Sequence, residues 1–311
     1  MNKEDKIYIA GHSGLVGTAV HKILLRKGYS NIVTRTHEEL DLIRQSDVER
    51  FFRNERPAYV IMTAARVGGI HANNTCPAQF IFENLAIQNN IIHSSYLYEA
   101  KKLLFLGSAC SYPRECPQPI REECLLTGPL EPTNEPYAVA KIAGIEMCRA
   151  YNRQYGTRFI CAVPTNAYGP HDNFDPEDSH VIPALLRKFH LAERTGSAEI
   201  AVWGTGSALR EFIYVDDLAD AILFLMDSYE GTDIINIGTD REVSIRELAY
   251  IVKSIVGFKG GIGFDGSKPD GAPRKTLDKS RLFGLGWRPG FSLEEGIERT
   301  YRWYLETLCN G

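Results

Sequence analysis

The sequence predicts an α/β fold, a doubly wound parallel sheet with a smaller C-terminal α/β lobe, on three grounds. Short β-branched runs alternate with amphipathic stretches through the first half, a glycine-rich turn joins the first run to the first amphipathic stretch, and the regularity loosens after about residue 170. At 311 residues the chain exceeds most single cores. It suits one large unit over residues 1–170 and a smaller lobe over 171–311, with segments around 205–240 rejoining the first sheet.

The runs at 6–10, 31–34, 59–63, 103–106 and 158–163 read as strands. Between them, 15–27, 45–54, 78–100 and 137–155 carry helical spacing. That order argues for parallel strands with helices on both faces. Further on, 234–237 reads as an isolated strand, and Ser244 with Glu247 forms a capping box that opens a helix over 245–256. The stretch 257–273 reads as a loop region with a short strand, and 293–308 as a closing helix.

Composition removes several function classes. A net charge of −4 gives no electrostatic case for nucleic acid or an anionic membrane surface as partner. No run approaches the ~18 apolar residues of a membrane span. The polar start, Met1 to Lys6, has no apolar targeting core, so the expectation is a cytoplasmic protein. Seven cysteines lie scattered at 76, 110, 116, 124, 148, 161 and 309 with no C-x-x-C pair, so neither a disulfide framework nor a metal site is indicated.

Gly11-His12-Ser13-Gly14-Leu15-Val16-Gly17 follows the first strand and opens the first helix. In a G-x-x-G-x-x-G turn the first glycine permits the tight bend, the second lets backbone approach a diphosphate, and the third allows close helix–sheet packing. The helix N-terminus then faces phosphate charge, as in a Rossmann dinucleotide site. A free ribose 2′-hydroxyl is usually held by an acid after the second strand, and a 2′-phosphate by a cation. Here Arg35 precedes His37 with no carboxylate until Glu38, which points to NADP(H).

Tyr137 and Lys141 stand four residues apart on one helical face. An ammonium beside a phenol is expected to favour phenolate, making Tyr137 a workable proton donor when hydride reaches a carbonyl carbon. Ser108 follows Gly107 at the end of the fourth strand, where sheet ligands bind. Cys110 lies two residues on, and in an extended segment it would share the side of Ser108.

This hydroxyl–phenol–ammonium set resembles that of the extended short-chain dehydrogenases/reductases, and longer segments resemble one branch, the GDP-L-fucose synthase family. They are Gly107-Ser-Ala-Cys-Ser-Tyr-Pro113, Leu130 to Tyr137, Pro164 to Phe174, Ser179-His-Val-Ile-Pro183, Val67 to Asn74 and Lys268 to Gly271. The likeness runs from about residue 6 to 305. It implies NADPH-dependent C3/C5 epimerisation and C4 reduction of GDP-4-keto-6-deoxy-D-mannose, with Cys110 as base and His180 as acid on the opposite face. It further implies cofactor contacts at Asp41, Leu106, Gly107, Ser108, Ala109, Lys141, Pro164, Thr165, Asn166, Ala167 and His180, and substrate contacts at Lys188, Trp203, Arg210 and Asp270 in the smaller, substrate-binding lobe. A homodimer formed through a four-helix bundle of segments 78–100 and 137–155 belongs to the same picture.

The resemblance is imperfect at three places. Relatives often carry arginines where this chain has Ser13 and His37, so its preference for NADPH is expected to be less sharp. Ala208 stands where relatives tend to have proline, which loosens the expectation for the sugar accepted. A reductase or epimerase-reductase for another 6-deoxy or heptose GDP-sugar therefore stays open. A 4,6-dehydratase is disfavoured because Ala109-Cys110 supplies no acidic pair.

Overall fold

The computed structural model describes residues 1–176, 179–268 and 270–308, so Cys309 and Pro269 of the 268–271 motif lie outside the described residues. Its first half runs β1 (Ile7–Ala10), α1 (Leu15–Arg26), β2 (Ile32–Val33), α2 (Gln45–Glu55), β3 (Tyr59–Met62), α3 (Ile70–Thr75), α4 (Pro77–Leu97), β4 (Lys102–Leu106), α5 (Glu135–Tyr155) and β5 (Phe159–Pro164). The second half continues with β6 (Asn166–Tyr168), α6 (Val181–Thr195), β7 (Glu199–Trp203), β8 (Leu209–Tyr214), α7 (Val215–Ser228), β9 (Ile235–Ile237), β10 (Glu242–Ser244), α8 (Ile245–Val256), β11 (Gly261–Asp265), β12 (Arg274–Lys275), α9 (Ser280–Gly284) and α10 (Leu293–Leu308).

Six strands form a parallel sheet in the order β2-β1-β3-β4-β5-β9. The pleat sends successive side chains to opposite faces. Ile7 and Ile9 of β1 enter the core beneath α1 and α7, while Tyr8 and Ala10 enter the core beneath α2, α4 and α5. Burial on both faces explains why these strands read as continuous apolar runs. A third apolar cluster joins α6, β7, β8, α8 and α10.

Differences from the sequence reading concentrate after residue 170. Helices α1, α2, α4 and α5 fall within a few residues of expectation, α4 stopping at Leu97 because Glu99 takes a left-handed φ of 59°, whereas α3 had none. Helices α6 and α7 and strands β7 and β8 had no separate expectation. The 257–273 stretch holds a five-residue strand, β11, that pairs in parallel with β7. Ser244 caps α8 by accepting from the Glu247 amide at 3.0 Å, but the Glu247 carboxylate turns to Arg241 at 3.0 Å rather than closing the box.

Strand β8 organises the approach to the site. Its first half lies between β10, antiparallel, and β12, parallel, and its second half pairs with β6. Buried Glu211 fixes the junction by accepting from the Thr239 amide at 2.6 Å, the Leu277 amide at 3.1 Å and the Lys279 ammonium at 3.3 Å. No helix among the described residues is long and apolar enough to cross a membrane.

Candidate active site

Strand order reverses between β1 and β3, and beyond the carboxyl ends of the parallel strands lies a cavity of about 860 Å³. The glycine turn builds one end of it. Gly11 takes φ +86°, and a Cβ there would stand 2.7 Å from the Ala64 backbone. A Cβ on Gly17 would lie 2.0 Å from the Gly11 carbonyl oxygen, so only glycine lets α1 start this close to the turn. Gly14 differs, because its Cβ would meet nothing nearer than that oxygen at 3.7 Å.

Gly14 is also the N-cap of α1, and neither a capping side chain nor an acid occupies the first turn. Helix amides and open space therefore coincide, an arrangement that fits a dinucleotide diphosphate. Ser13, Leu15 and Val16 line the cavity with the three glycines. His12 does not line it, and its Nδ1 is buried without a partner.

Arg35, His37 and Asp41 border the same cavity. The Arg35 guanidinium donates to the Thr34 carbonyl at 2.7 Å and to Glu55 at 2.5 Å, and lies 5.4 Å from the Phe51 ring centre. Asp41 accepts from the Ile43 amide at 3.0 Å and pairs with Arg44 at 3.3 Å.

The middle of the cavity is walled by Leu106, Gly107, Ser108 and Ala109 after β4 and by Pro164, Thr165, Asn166 and Ala167 after β5. Residues 109–111 form a 3₁₀ turn rather than an extended segment, which corrects the expected geometry of Cys110. The Ser108 hydroxyl oxygen caps that turn by accepting from the Cys110 amide at 3.2 Å. Both side chains still line the cavity, brought there by the turn instead of strand alternation.

Tyr137 enters the first turn of α5, and Lys141 lies one turn on. The Lys141 ammonium donates to the Leu106 carbonyl at 2.8 Å and stands 5.8 Å from the Tyr137 ring centre. Burial pulls its pKa down to about 8. Burial also pushes the Tyr137 phenol up, with the nearby Cys110 thiol adding to the rise and a hydrogen bond with Ser108 opposing it. The expected lowering of the phenol by Lys141 is thus overturned. Lys141, its cation directed at a carbonyl, is not among the groups acting on the phenol, and desolvation of the hydroxyl dominates.

His180 is the N-cap of α6, and its Nδ1 lies 3.7 Å from Asp172 Oδ1. The Asp172 side chain is only 5 % exposed, and its Oδ2 is buried with no hydrogen-bond partner. Of the residues expected at the sugar end, Trp203, Arg210 and Asp270 line the cavity. Trp203 is 69 % exposed with the Lys268 ammonium 5.7 Å from its ring centre. Arg210 donates to the Asp270 backbone carbonyl at 3.2 Å, while the Asp270 carboxylate accepts from the Thr205 amide at 2.8 Å and hydroxyl at 2.7 Å. Lys188 stands apart, off the cavity wall, with its ammonium donated to the Ala201 carbonyl of β7.

Among the cavity residues that escaped the sequence reading, Asn134, Asp172 and Lys275 bear on the chemistry. Asn134 donates to the Cys110 sulfur at 3.1 Å, and the Lys275 ammonium stands 3.9 Å from the same atom. Asn134 had a local signal, three residues before Tyr137 in the segment 130–137, and Asp172 lay inside the segment 164–174. Lys275 had none, since it comes from β12, 165 residues along the chain from Cys110.

Comparison with known proteins adds independent findings. The model of the NAD dependent epimerase/dehydratase family matches residues 7–238. GDP-L-fucose synthase 1 of Arabidopsis thaliana is 59 % identical over 309 residues, covering 99 % of this chain and 96 % of the relative. A GDP-6-OMe-4-keto-L-xylo-heptose reductase from C. jejuni is 42 % identical with a TM-score of 0.92, covering 98 % of this chain and 99 % of that one. A GDP-L-fucose synthetase from Naegleria fowleri, solved bound to NADP, is 31 % identical with a TM-score of 0.93, covering 100 % and 97 %.

Proposed function

The chain belongs to the NAD dependent epimerase/dehydratase family, and we propose that it carries out the NADPH-dependent conversion of GDP-4-keto-6-deoxy-D-mannose to GDP-L-fucose. One observation carries the reading: Ser108, Tyr137, Lys141, Cys110 and His180 all face a single cavity that begins at the glycine turn.

The C4 ketone acidifies the protons on C3 and C5, so each centre inverts by removal of a proton and return of one to the opposite face. Cys110 as thiolate takes the proton, forming S–H as C–H breaks, and the electron pair moves onto the C4 oxygen. Ser108 and Tyr137 stabilise that oxygen by hydrogen bonding. His180 as imidazolium delivers a proton from the other side, and solvent resets both groups. NADPH, when bound, supplies hydride for C4. Tyr137 then gives its phenolic proton to the C4 oxygen, and Lys141 holds positive charge beside the phenolate that remains.

Arg210 meets the charge of the GDP diphosphate, and Trp203 offers a wide apolar face to the ligand. Arg35 is the cation for the NADP 2′-phosphate. We also assign the chain to a cytoplasmic homodimer. Phe82, Leu97, Val139 and Tyr155 on α4 and α5 are large, apolar and exposed, as a helix-bundle interface requires.

The test is incubation with GDP-4-keto-6-deoxymannose and NADPH, followed by identification of the sugar product. GDP-L-fucose supports the reading. A C4-reduced sugar with C3 and C5 unchanged would remove the epimerase half and favour the type of reaction named for the C. jejuni heptose reductase.

A further inference from the structure

Within the reading that Cys110 is the epimerisation base, we infer that Asn134 is the positioning residue of that base, its amide holding the sulfur toward the cavity. Asn134 sits at the N-cap of α5, where an asparagine side chain ordinarily accepts from a helix amide. Here it makes no such bond. Its Nδ2 instead donates to Cys110 Sγ at 3.1 Å, and its Oδ1 is left buried with no partner. A buried orphan acceptor is costly, and a cap bond forgone adds to that cost. The contact obtained in exchange is the one to sulfur.

The chemistry of the contact is directional. An amide N–H donates to sulfur, and a thiolate accepts more strongly than a thiol. Asn134 therefore favours the form that removes a proton and fixes the rotamer that presents it. Because Cys110 is the middle residue of a 3₁₀ turn capped by Ser108, its side chain lies between a hydroxyl that can hold the ketone oxygen and an amide that holds the sulfur. The charged and titratable groups facing the sulfur are Lys275 on β12, with its ammonium 3.9 Å away, and Tyr137 on α5. Lys275 brings charge but no fixed direction, since an ammonium on a flexible stem is a point charge. Direction comes from the planar amide.

Asn134→Asp is the decisive variant, because it keeps size and a good N-cap while removing the donor and adding repulsion toward thiolate. Two readouts are needed on the intact protein. The first is alkylation of Cys110 by iodoacetamide at neutral pH, followed by mass spectrometry of the peptide carrying Cys110, with no sugar present. The second is incorporation of solvent deuterium at C3 and C5 of GDP-4-keto-6-deoxymannose.

Both rates should fall by about tenfold or more, the effect of one lost hydrogen bond to a charged atom, while the Kd for NADPH stays unchanged. Asn134→Ala should show the same loss to a smaller extent. Wild-type alkylation and exchange in Asn134→Asp would overturn the inference, leaving the amide without a role at the sulfur. Should the unaltered protein exchange no deuterium at all, the epimerase reading fails by itself, and the alkylation rates still decide whether Asn134 directs the sulfur.

Discussion

Arg35 and Glu55 form a 2.5 Å ion pair at the edge of the cavity, and the same carboxylate takes the Lys6 ammonium at 3.1 Å. The cation assigned to the cofactor's 2′-phosphate is therefore already engaged by the protein. A phosphate competes with Glu55 for the guanidinium, and part of its attraction is lost in displacing the carboxylate.

Glu55→Gln should consequently sharpen the preference for NADPH over NADH, raising the ratio of kcat/KM by about three- to tenfold. Arg35→Ala should lower it by about tenfold or more, the scale of a charge-assisted contact. Steady-state kinetics with each cofactor measure both. An unchanged ratio in Arg35→Ala would remove Arg35 from cofactor selection and leave His37, which borders the same cavity, to account for it.

The proposal gives proton transfer to the C4 oxygen to Tyr137 and proton removal at C3 and C5 to Cys110, so the two should separate by mutation. Tyr137→Phe should lower NADPH oxidation by about a hundredfold or more, within the range of a lost general acid, while deuterium from solvent still enters C3 or C5, more slowly because Ser108 alone then holds the enolate oxygen. Cys110→Ser should do the reverse, suppressing exchange while NADPH still binds. Complete loss of exchange in Tyr137→Phe, or of NADPH oxidation in Cys110→Ser, in protein that remains folded, contradicts the division of labour.

Lys141 links pH to stability and to catalysis in opposite senses. Its ammonium is buried, with a pKa lowered from 10.5 to about 8. Below about 8 the folded and unfolded chains both carry this proton, and the penalty for burying it is fully present. Between about 8 and 10.5 the folded chain releases it first, so the unfolded state binds more protons and the Lys141 contribution to stability rises with pH. Across the window the gain is on the order of 3 kcal/mol.

Denaturant unfolding of the wild type and Lys141→Met should therefore show a difference that shrinks as pH climbs from 8 toward 10. Reduction should fall over the same interval, because the phenolate left on Tyr137 loses its neighbouring cation. A stability difference that is flat across those pH values would show that the ammonium is not desolvated in the folded protein.

What could be read from the amino acids divides along the chain. From β1 to β4 each strand is followed by a helix, so local alternation put Ser108 at a strand end and Tyr137 and Lys141 on one helix, and the three together resembled the short-chain dehydrogenase set. Strand β8 gave no such signal. Its register depends on β10, β12 and β6, drawn from segments up to dozens of residues away, and no local pattern encodes a partner at that distance. Lys275 was illegible for the same reason. The pairing of Arg210 with Lys275 in the β8–β12 register is what carries it to the cavity. Lys188 illustrates a different limit, since a resemblance supplied its place in the chain but not the direction of its side chain, which the Ala201 carbonyl takes.

The glycine turn offers a test in which fold and cofactor binding part company. Gly17→Ala places a Cβ 2.0 Å from the Gly11 carbonyl oxygen and 2.7 Å from the His12 Cα, both backbone atoms that cannot swing aside. The helix must move off the turn, and the expected cost is about 1–3 kcal/mol of stability as overpacking strain. Gly14→Ala is another matter. Its Cβ would make only an ordinary contact at 3.7 Å, at an N-cap with a φ of −80°, which any residue adopts. The melting temperature of Gly14→Ala should stay within a few degrees of wild type. The added methyl nevertheless projects into the space in front of the α1 amides, where a diphosphate must approach backbone closely. Calorimetric titration should show NADPH affinity reduced by about tenfold or more in a protein that melts normally. Wild-type affinity in Gly14→Ala would mean that the phosphates do not come to this helix end, and the cofactor would have to enter the cavity in some other orientation.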